Sequence, residues 1–171
     1  MRLKLKTRLN NIACLLAITA LGGLALATTV RAANPHFLRC GASGVNSDGS
    51  LDVSFTIAGL GSKQSIEVSA SAHADATYAC RNHGQQCPNA ANKVHVQSDV
   101  SATGTFTSGK NGSIRASLTV EPPDTDLNCP GGQTLVLVSV SYTNVSVSAP
   151  GAGDCIPDPG TFAANFFPNC P

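Results

Sequence analysis

Cys129-Pro130-Gly131-Gly132-Gln133-Thr134-Leu135-Val136-Leu137-Val138-Ser139-Val140-Ser141-Tyr142-Thr143-Asn144-Val145-Ser146-Val147 decides how this chain is read. A cysteine and a Pro-Gly-Gly turn open it, and the longest β-branched run of the protein follows. An apolar, β-branched run bounded by turn residues signals a buried strand. Its first half is apolar on both parities, which suits a strand covered on both sides. Val136, Val138, Val140 and Tyr142 share one parity, and Val145 and Val147 have the other. The change of phase places a bulge at Thr143-Asn144.

The segments before this run are strands that need such a partner. Leu51, Val53, Phe55 and Ile57 alternate with Asp52, Ser54 and Thr56, the period of a strand with one dry face. From Ile66 to Cys80 the alternation continues through Val68, Ala70, Ala72, Ala74, Ala76 and Tyr78, with Glu67, Ser69, Ser71, His73, Asp75 and Thr77 opposite. That length exceeds an ordinary strand, so a bend or bulge near Ala72, or a crossing between two sheets, is expected. Alanine favours helix, but the period here is two. Phe37 to Val45, Lys93 to Phe106, Ile114 to Val120 and Thr161 to Phe167 complete the set. In the strand from Ile114 to Val120, Arg115, Ser117 and Thr119 point outward. Asn46 to Gly49 is a turn by composition. Thr107 to Gly112 reads as a hairpin connection, because Asn-Gly favours positive φ. Pro122-Pro123 stops the preceding strand. Ala149 to Gly160 is a Gly/Pro/Asp loop.

Seven or eight strands, no convincing helix and closely spaced turns give an all-β fold. The expected architecture is an antiparallel β-sandwich of immunoglobulin-like type, stapled by disulfides, with a small β-barrel as the alternative. Tyr78-Ala79-Cys80 has the spacing of an immunoglobulin tyrosine corner, but it comes early in the chain and no Trp accompanies it.

Residues 1–32 read as a secretory signal peptide. Arg2, Lys4, Lys6 and Arg8 precede an apolar stretch from Ile12 to Val30, and small residues offer cleavage sites between Ala27 and Ala32. An uncleaved membrane anchor is the rival reading. Gly22-Gly23, the small residues and the missing stop-transfer charges count against it. Cys14 precedes the apolar core, which argues against a lipoprotein. Residues 33–171 are then expected to form a single domain outside the cytoplasm, secreted, periplasmic or at the cell surface, with no membrane span after cleavage. Losing the leader removes five of the eleven Lys and Arg and none of the ten acids, so the formal net charge falls from +1 to −4. That balance disfavours nucleic acid and anionic membrane surfaces as partners.

Six cysteines remain: Cys40, Cys80, Cys87, Cys129, Cys155 and Cys170. An even number in a small exported chain reads as a disulfide framework, with every pairing open at this point. No Cys-x-x-Cys spacing supports zinc. The chain has no Trp, two Tyr and six Phe. A core so poor in large aromatics gains from cross-links.

Tyr78-Ala79-Cys80-Arg81-Asn82, Ala91-Asn92-Lys93, Lys110-Asn111-Gly112, Cys129-Pro130-Gly131-Gly132-Gln133 and Val138 to Val145 recur in this order in a set of small exported bacterial proteins of unknown function. The chain resembles that set from about Leu51 to Val147. The resemblance implies that Cys80 pairs with Cys129. It also implies that Cys40, Cys87, Cys155 and Cys170 are additions pinning the chain ends and a loop. It implies no catalytic residue and no ligand.

Candidate sites are few. No Gly-x-Ser-x-Gly elbow marks a hydrolase. His73 and Asp75 share a strand face, and His95 on a neighbouring strand would complete a transition-metal set, against the simpler reading of a wet polar face. Asp124, Asp126 and Asn128 are spaced as calcium ligands are, but the Gly and distal Glu of an EF-hand are missing, and a polar turn is the simpler reading. Asp154 and Asp158 would join them only if the loops meet. Arg81 to Ala91 is a long polar loop, either a binding loop or a disulfide-held connector. Asn111-Gly112-Ser113 and Asn144-Val145-Ser146 are glycosylation sequons. No catalytic residue is assigned, and no cofactor is expected unless calcium. The sequence favours a non-enzymatic surface-binding or structural module with an extracellular ligand or surface partner. An extracellular hydrolase with a loop-built site and a calcium- or sugar-binding module are the alternatives.

Overall fold

The computed structural model describes residues 34–84, 87, 92–157, 160–168 and 170. The signal-peptide reading of residues 1–32 lies outside them, as do Asp158 and most of the 85–91 loop. Among the described residues eight strands run in order: β1 (His36–Val45), β2 (Leu51–Ala58), β3 (Ser65–Asn82), β4 (Lys93–Thr107), β5 (Ile114–Val120), β6 (Gln133–Ala149), β7 (Gly153–Cys155) and β8 (Thr161–Asn165). Among the described residues no helix is long and apolar enough to cross a membrane.

The strands form two antiparallel sheets rather than a closed barrel. The short sheet is β1-β2-β5, and the long one is β4-β3-β6 with β7 and β8 both paired to β6. The dry parities of the sequence meet between them. Leu51, Val53, Phe55, Ile57, Ile114, Leu118 and Val120 come from the short sheet, and Ile66, Val68, the even-numbered alanines of β3, Val140, Tyr142, Val145 and Val147 from the long one. The small residues of β3 leave room for bulk from the facing sheet, as dense packing requires. Phe55 meets Phe106 edge-on, with centroids 5.2 Å apart.

β3 stays in one sheet along its full length, paired to β4 on one side and β6 on the other. The break expected near Ala72 and the bulge expected at Thr143-Asn144 are one feature. Ser71 pairs with Ser146 and His73 with Thr143, so Ala72 faces two residues, Asn144 and Val145. Asn144 takes the left-handed conformation, φ 53°, which Asn accepts more readily than other non-glycine residues. Its side chain is exposed, although its strand is a central one. Asn144→Gly should therefore stay within about 0.5 kcal/mol of wild type, whereas Asn144→Val should lose about 1–3 kcal/mol because a β-branched residue resists positive φ. Urea midpoints of the two variants test this.

A second shift falls between Thr77 and Tyr78, where Val138 is the extra residue. It corrects the single face expected for Val136, Val138, Val140 and Tyr142. Val140 and Tyr142 face the other sheet. Val138 and the partly buried Val136 instead join Ala79, Cys87, Phe167 and Cys170 in a separate apolar cluster. The Val138 carbonyl accepts the Phe166 and Phe167 amides, which seats the C-terminal segment there.

The Thr107–Gly112 connection is not a hairpin. Its Asn-Gly turn forms, with the Gly112 amide on the Gly109 carbonyl and φ 72° at Gly112. But β4 pairs with β3 and β5 with β2, so the chain changes sheets there. Ser108 fastens the crossing: it is 3 % exposed, accepts from the Gln64 amide and donates to the Gly61 carbonyl. The Ala149–Gly160 loop holds a three-residue strand, β7, formed by pairing with the end of β6. The Asn46–Ser50 turn is tied to the core, because the buried Tyr142 hydroxyl donates to the Gly49 carbonyl at 2.7 Å.

Candidate functional site

Among the described residues three disulfides tie the elements together. Cys40 of β1 bonds Cys155 of β7 and so joins the two sheets. Cys80 of β3 bonds Cys129, just before β6, and Cys87 bonds Cys170. The last bridge ties Cys87, beyond the end of β3, to the C-terminal segment; Arg81, expected in a loop, is instead in β3. Arg81 stacks on Phe167 beside that bridge, 4.7 Å from the ring centroid.

The outer face of the long sheet is polar. Register sets His73 opposite Asp99 and Asp75 opposite Gln97, and His95 is diagonal to Asp75. His73 Nδ1 lies 2.8 Å from Asp99 Oδ1, and His95 Nε2 contacts Asp75 Oδ1. The Gln97 amide donates to the other Asp75 oxygen at 2.8 Å. That bond is the main cause that holds the Asp75 carboxyl below the ordinary carboxylate range; burial opposes it, and the His95 contact adds a lesser lowering. His73, Asp75 and His95 thus share the face expected of them, but each histidine meets a carboxylate laterally. Among the described residues no three His, Cys, Asp or Glu side chains gather as a metal group. Ser71–Ser146 and Ser65–Thr107 hydroxyl pairs extend the face, at 3.0 and 3.1 Å.

Asp124, Asp126 and Asn128 lie in the extended link between β5 and β6, all exposed, alternating with half-buried Thr125 and Leu127. The Leu127 amide donates to Thr125 Oγ1. Asp124 borders a groove beside β4 with Val96 and Val100, whereas Asp154 borders another with Glu67 and Ser148. Asp158 lies outside the described residues.

Both tyrosines are used internally. Tyr78 donates to the Pro123 carbonyl at 2.7 Å, far along the chain, so it is not an immunoglobulin tyrosine corner. Burial pushes both phenols up, helped at Tyr78 by the charge of Asp124 and at Tyr142 chiefly by that of Glu121.

The outer face of the short sheet carries a feature that sequence reading missed. Arg39 pairs in register with Thr56, and Thr56 with Arg115, in one row across three strands. Gly41, Ser54 and Ser117 form the next row. Together they line an open hollow of about 490 Å³. The outward parity of Arg115 was legible, but its alignment with Arg39 depends on pairing registers.

No protein-family model matches the chain, and no curated protein matches it. Among solved structures it is similar to Spo0M, a sporulation control protein from Bacillus subtilis, at 12% identity and TM-score 0.30 over 78% of this chain and 49% of that one. The chain therefore spans about half the length of that protein. It is also similar to CsgH from R. palustris, at 10% identity and TM-score 0.17 over 77% of this chain and 94% of that one. The B domain of a biofilm associated protein matches at 12% identity and TM-score 0.23, over 80% and 44%. Likeness at this level identifies no family.

Proposed function

We propose that the protein is exported and works outside the cytoplasm as a non-enzymatic β-sandwich, binding or building through its sheet faces. The observation that carries this reading is the set of three disulfides, which joins sheet to sheet, strand to loop and loop to C-terminus. Such a framework persists in oxidising compartments. The polar side chains support the same reading: His73 and His95 of the long sheet each pair laterally with a carboxylate on a neighbouring strand. A sugar-binding module is less favoured, since sugar rings stack on exposed aromatics and both tyrosines serve the interior.

Expression with the native leader, followed by cell fractionation and alkylation without reductant, tests the reading. Recovery outside the cytoplasm with the six cysteines resistant to alkylation is the expected result. Cytoplasmic protein with free thiols overturns it. Turnover of any ester, peptide or glycoside in a substrate panel overturns its non-enzymatic part.

A further inference from the structure

We propose that the outer face of the short sheet is an oxyanion-binding site, in which Arg39, Thr56 and Arg115 hold the sulfate, phosphate or carboxylate groups of an acidic ligand over the hollow at Gly41.

The row sets the geometry. Neighbouring strands lie about 4.8 Å apart, so the arginine backbones are about 10 Å apart with Thr56 midway. Two guanidiniums projecting from one face can grip one anion between them, or successive acidic groups of a polymer. Arg39 Nε donates to Thr56 Oγ1 at 3.4 Å, which leaves most of its five donors free. Among the described residues neither arginine is in a salt bridge. That is notable where ten acids outnumber the six basic residues beyond the leader. An arginine fork matches planar and tetrahedral oxyanions. The nearest acid on the same face is Asp52, about 13 Å along the strand from the Thr56 row. Its two oxygens are occupied by Thr119 Oγ1 and Asn46 Nδ2.

Gly41 supplies the independent argument. Its backbone is not in the left-handed region. A Cβ there would meet only Ser54 Oγ, at 3.7 Å, an ordinary contact. Neither backbone nor packing demands glycine, yet a side chain here would project into the hollow that the two rows line. Ser54 Oγ donates to the Gly41 carbonyl at 3.1 Å, and Ser54 and Ser117 are exposed, so the rim offers neutral hydroxyls beside the cationic row.

This assignment deepens the surface-binding reading by naming a ligand class, but it is measured apart from export, on purified oxidised protein. The probes are sodium sulfate and sodium phosphate, read by amide chemical shifts against sodium chloride at equal ionic strength. Polygalacturonate and dextran sulfate, with neutral dextran as control, are read by calorimetry. Shifts centred on Arg39, Gly41, Thr56 and Arg115 are expected. Arg39→Gln with Arg115→Gln should weaken binding at least about tenfold. Gly41→Leu keeps both charges and should weaken it comparably by filling the hollow. Lys63→Gln with Lys110→Gln changes net charge equally and should leave binding unchanged. Tighter, arginine-dependent binding of the polymers identifies a polymer-borne source, and equal binding of the small anions identifies a free one; both uphold the site. Wild-type affinity in the arginine pair, or an equal loss in the lysine pair, overturns it. If the arginine pair does not fold, unchanged binding by Gly41→Leu overturns it instead.

Discussion

Phe55→Ala should destabilise the protein by about 3–5 kcal/mol, the usual cost of emptying a buried aromatic site. Phe55 is 2 % exposed at the middle of β2, the central strand of the short sheet. Its ring packs edge-on against Phe106 of the long sheet, so it bridges the two layers. Few neighbours can close the gap. Four of the inward residues of β3 are alanines, and the chain has no Trp, so little bulk is available to fill it. At this chain length each kcal/mol moves the melting temperature by roughly 3–4 °C, so a fall of about 10–20 °C is expected. Phe55→Leu keeps most of the volume and should lose much less. A fall of only one or two degrees for the alanine variant would show that the layers are held mainly by the cross-links.

The second large effect is removal of the Cys80–Cys129 bridge. It closes a loop of 49 residues. Freeing that loop in the unfolded chain corresponds to about 4 kcal/mol on the loop-entropy scale. Cys80 is 1 % exposed, so Cys80→Ala with Cys129→Ala avoids leaving a buried hydroxyl. Guanidinium unfolding of this double variant, with the other bridges oxidised, should show a lower midpoint by that free energy. The effect is large because the bridge ties the end of the central strand β3 to the entry of its neighbour β6. A midpoint within about 0.5 kcal/mol of wild type would mean that the unfolded chain stays locally compact without the bridge.

Phe55 lies in the part of the fold that sequence showed most clearly. β2 and β5 alternate strictly because one face is dry and the other wet, so parity gives both the strand and its inward residues. Leu135 to Val138 is apolar at every position, and parity there cannot choose a face. The extra residue at Val138, which turns it toward Cys170, becomes visible only with the β3–β6 register. Asn111-Gly112 encodes a reversal of direction but not a destination; packing carries β5 to β2 instead of β4. Gly153-Asp154-Cys155 has no strand preference of its own and becomes β7 only beside β6. The candidate sites divide the same way. His73 and Asp75 were legible as one face from their spacing. The row of Arg39, Thr56 and Arg115 was not, because it is aligned by two separate registers, one of them with β5, distant in sequence.

The position of β3 bears on the order in which a chain made from its N-terminus can settle. Its partner β4 follows soon after it, but β6 ends only at Ala149, and the core-facing β5 also comes later. An emerging chain can close β1 on β2 and β3 on β4 early. At that stage two hairpins exist, and their apolar faces are only partly covered, because the strands that complete both layers have not arrived. Loop closure must be paid before such distant pairings reward it, and topologies of this kind fold slowly, in milliseconds to seconds. Disulfide formation is slower still. Time spent half-assembled is therefore a property of this topology, and any cell that makes the protein must shelter it through that interval.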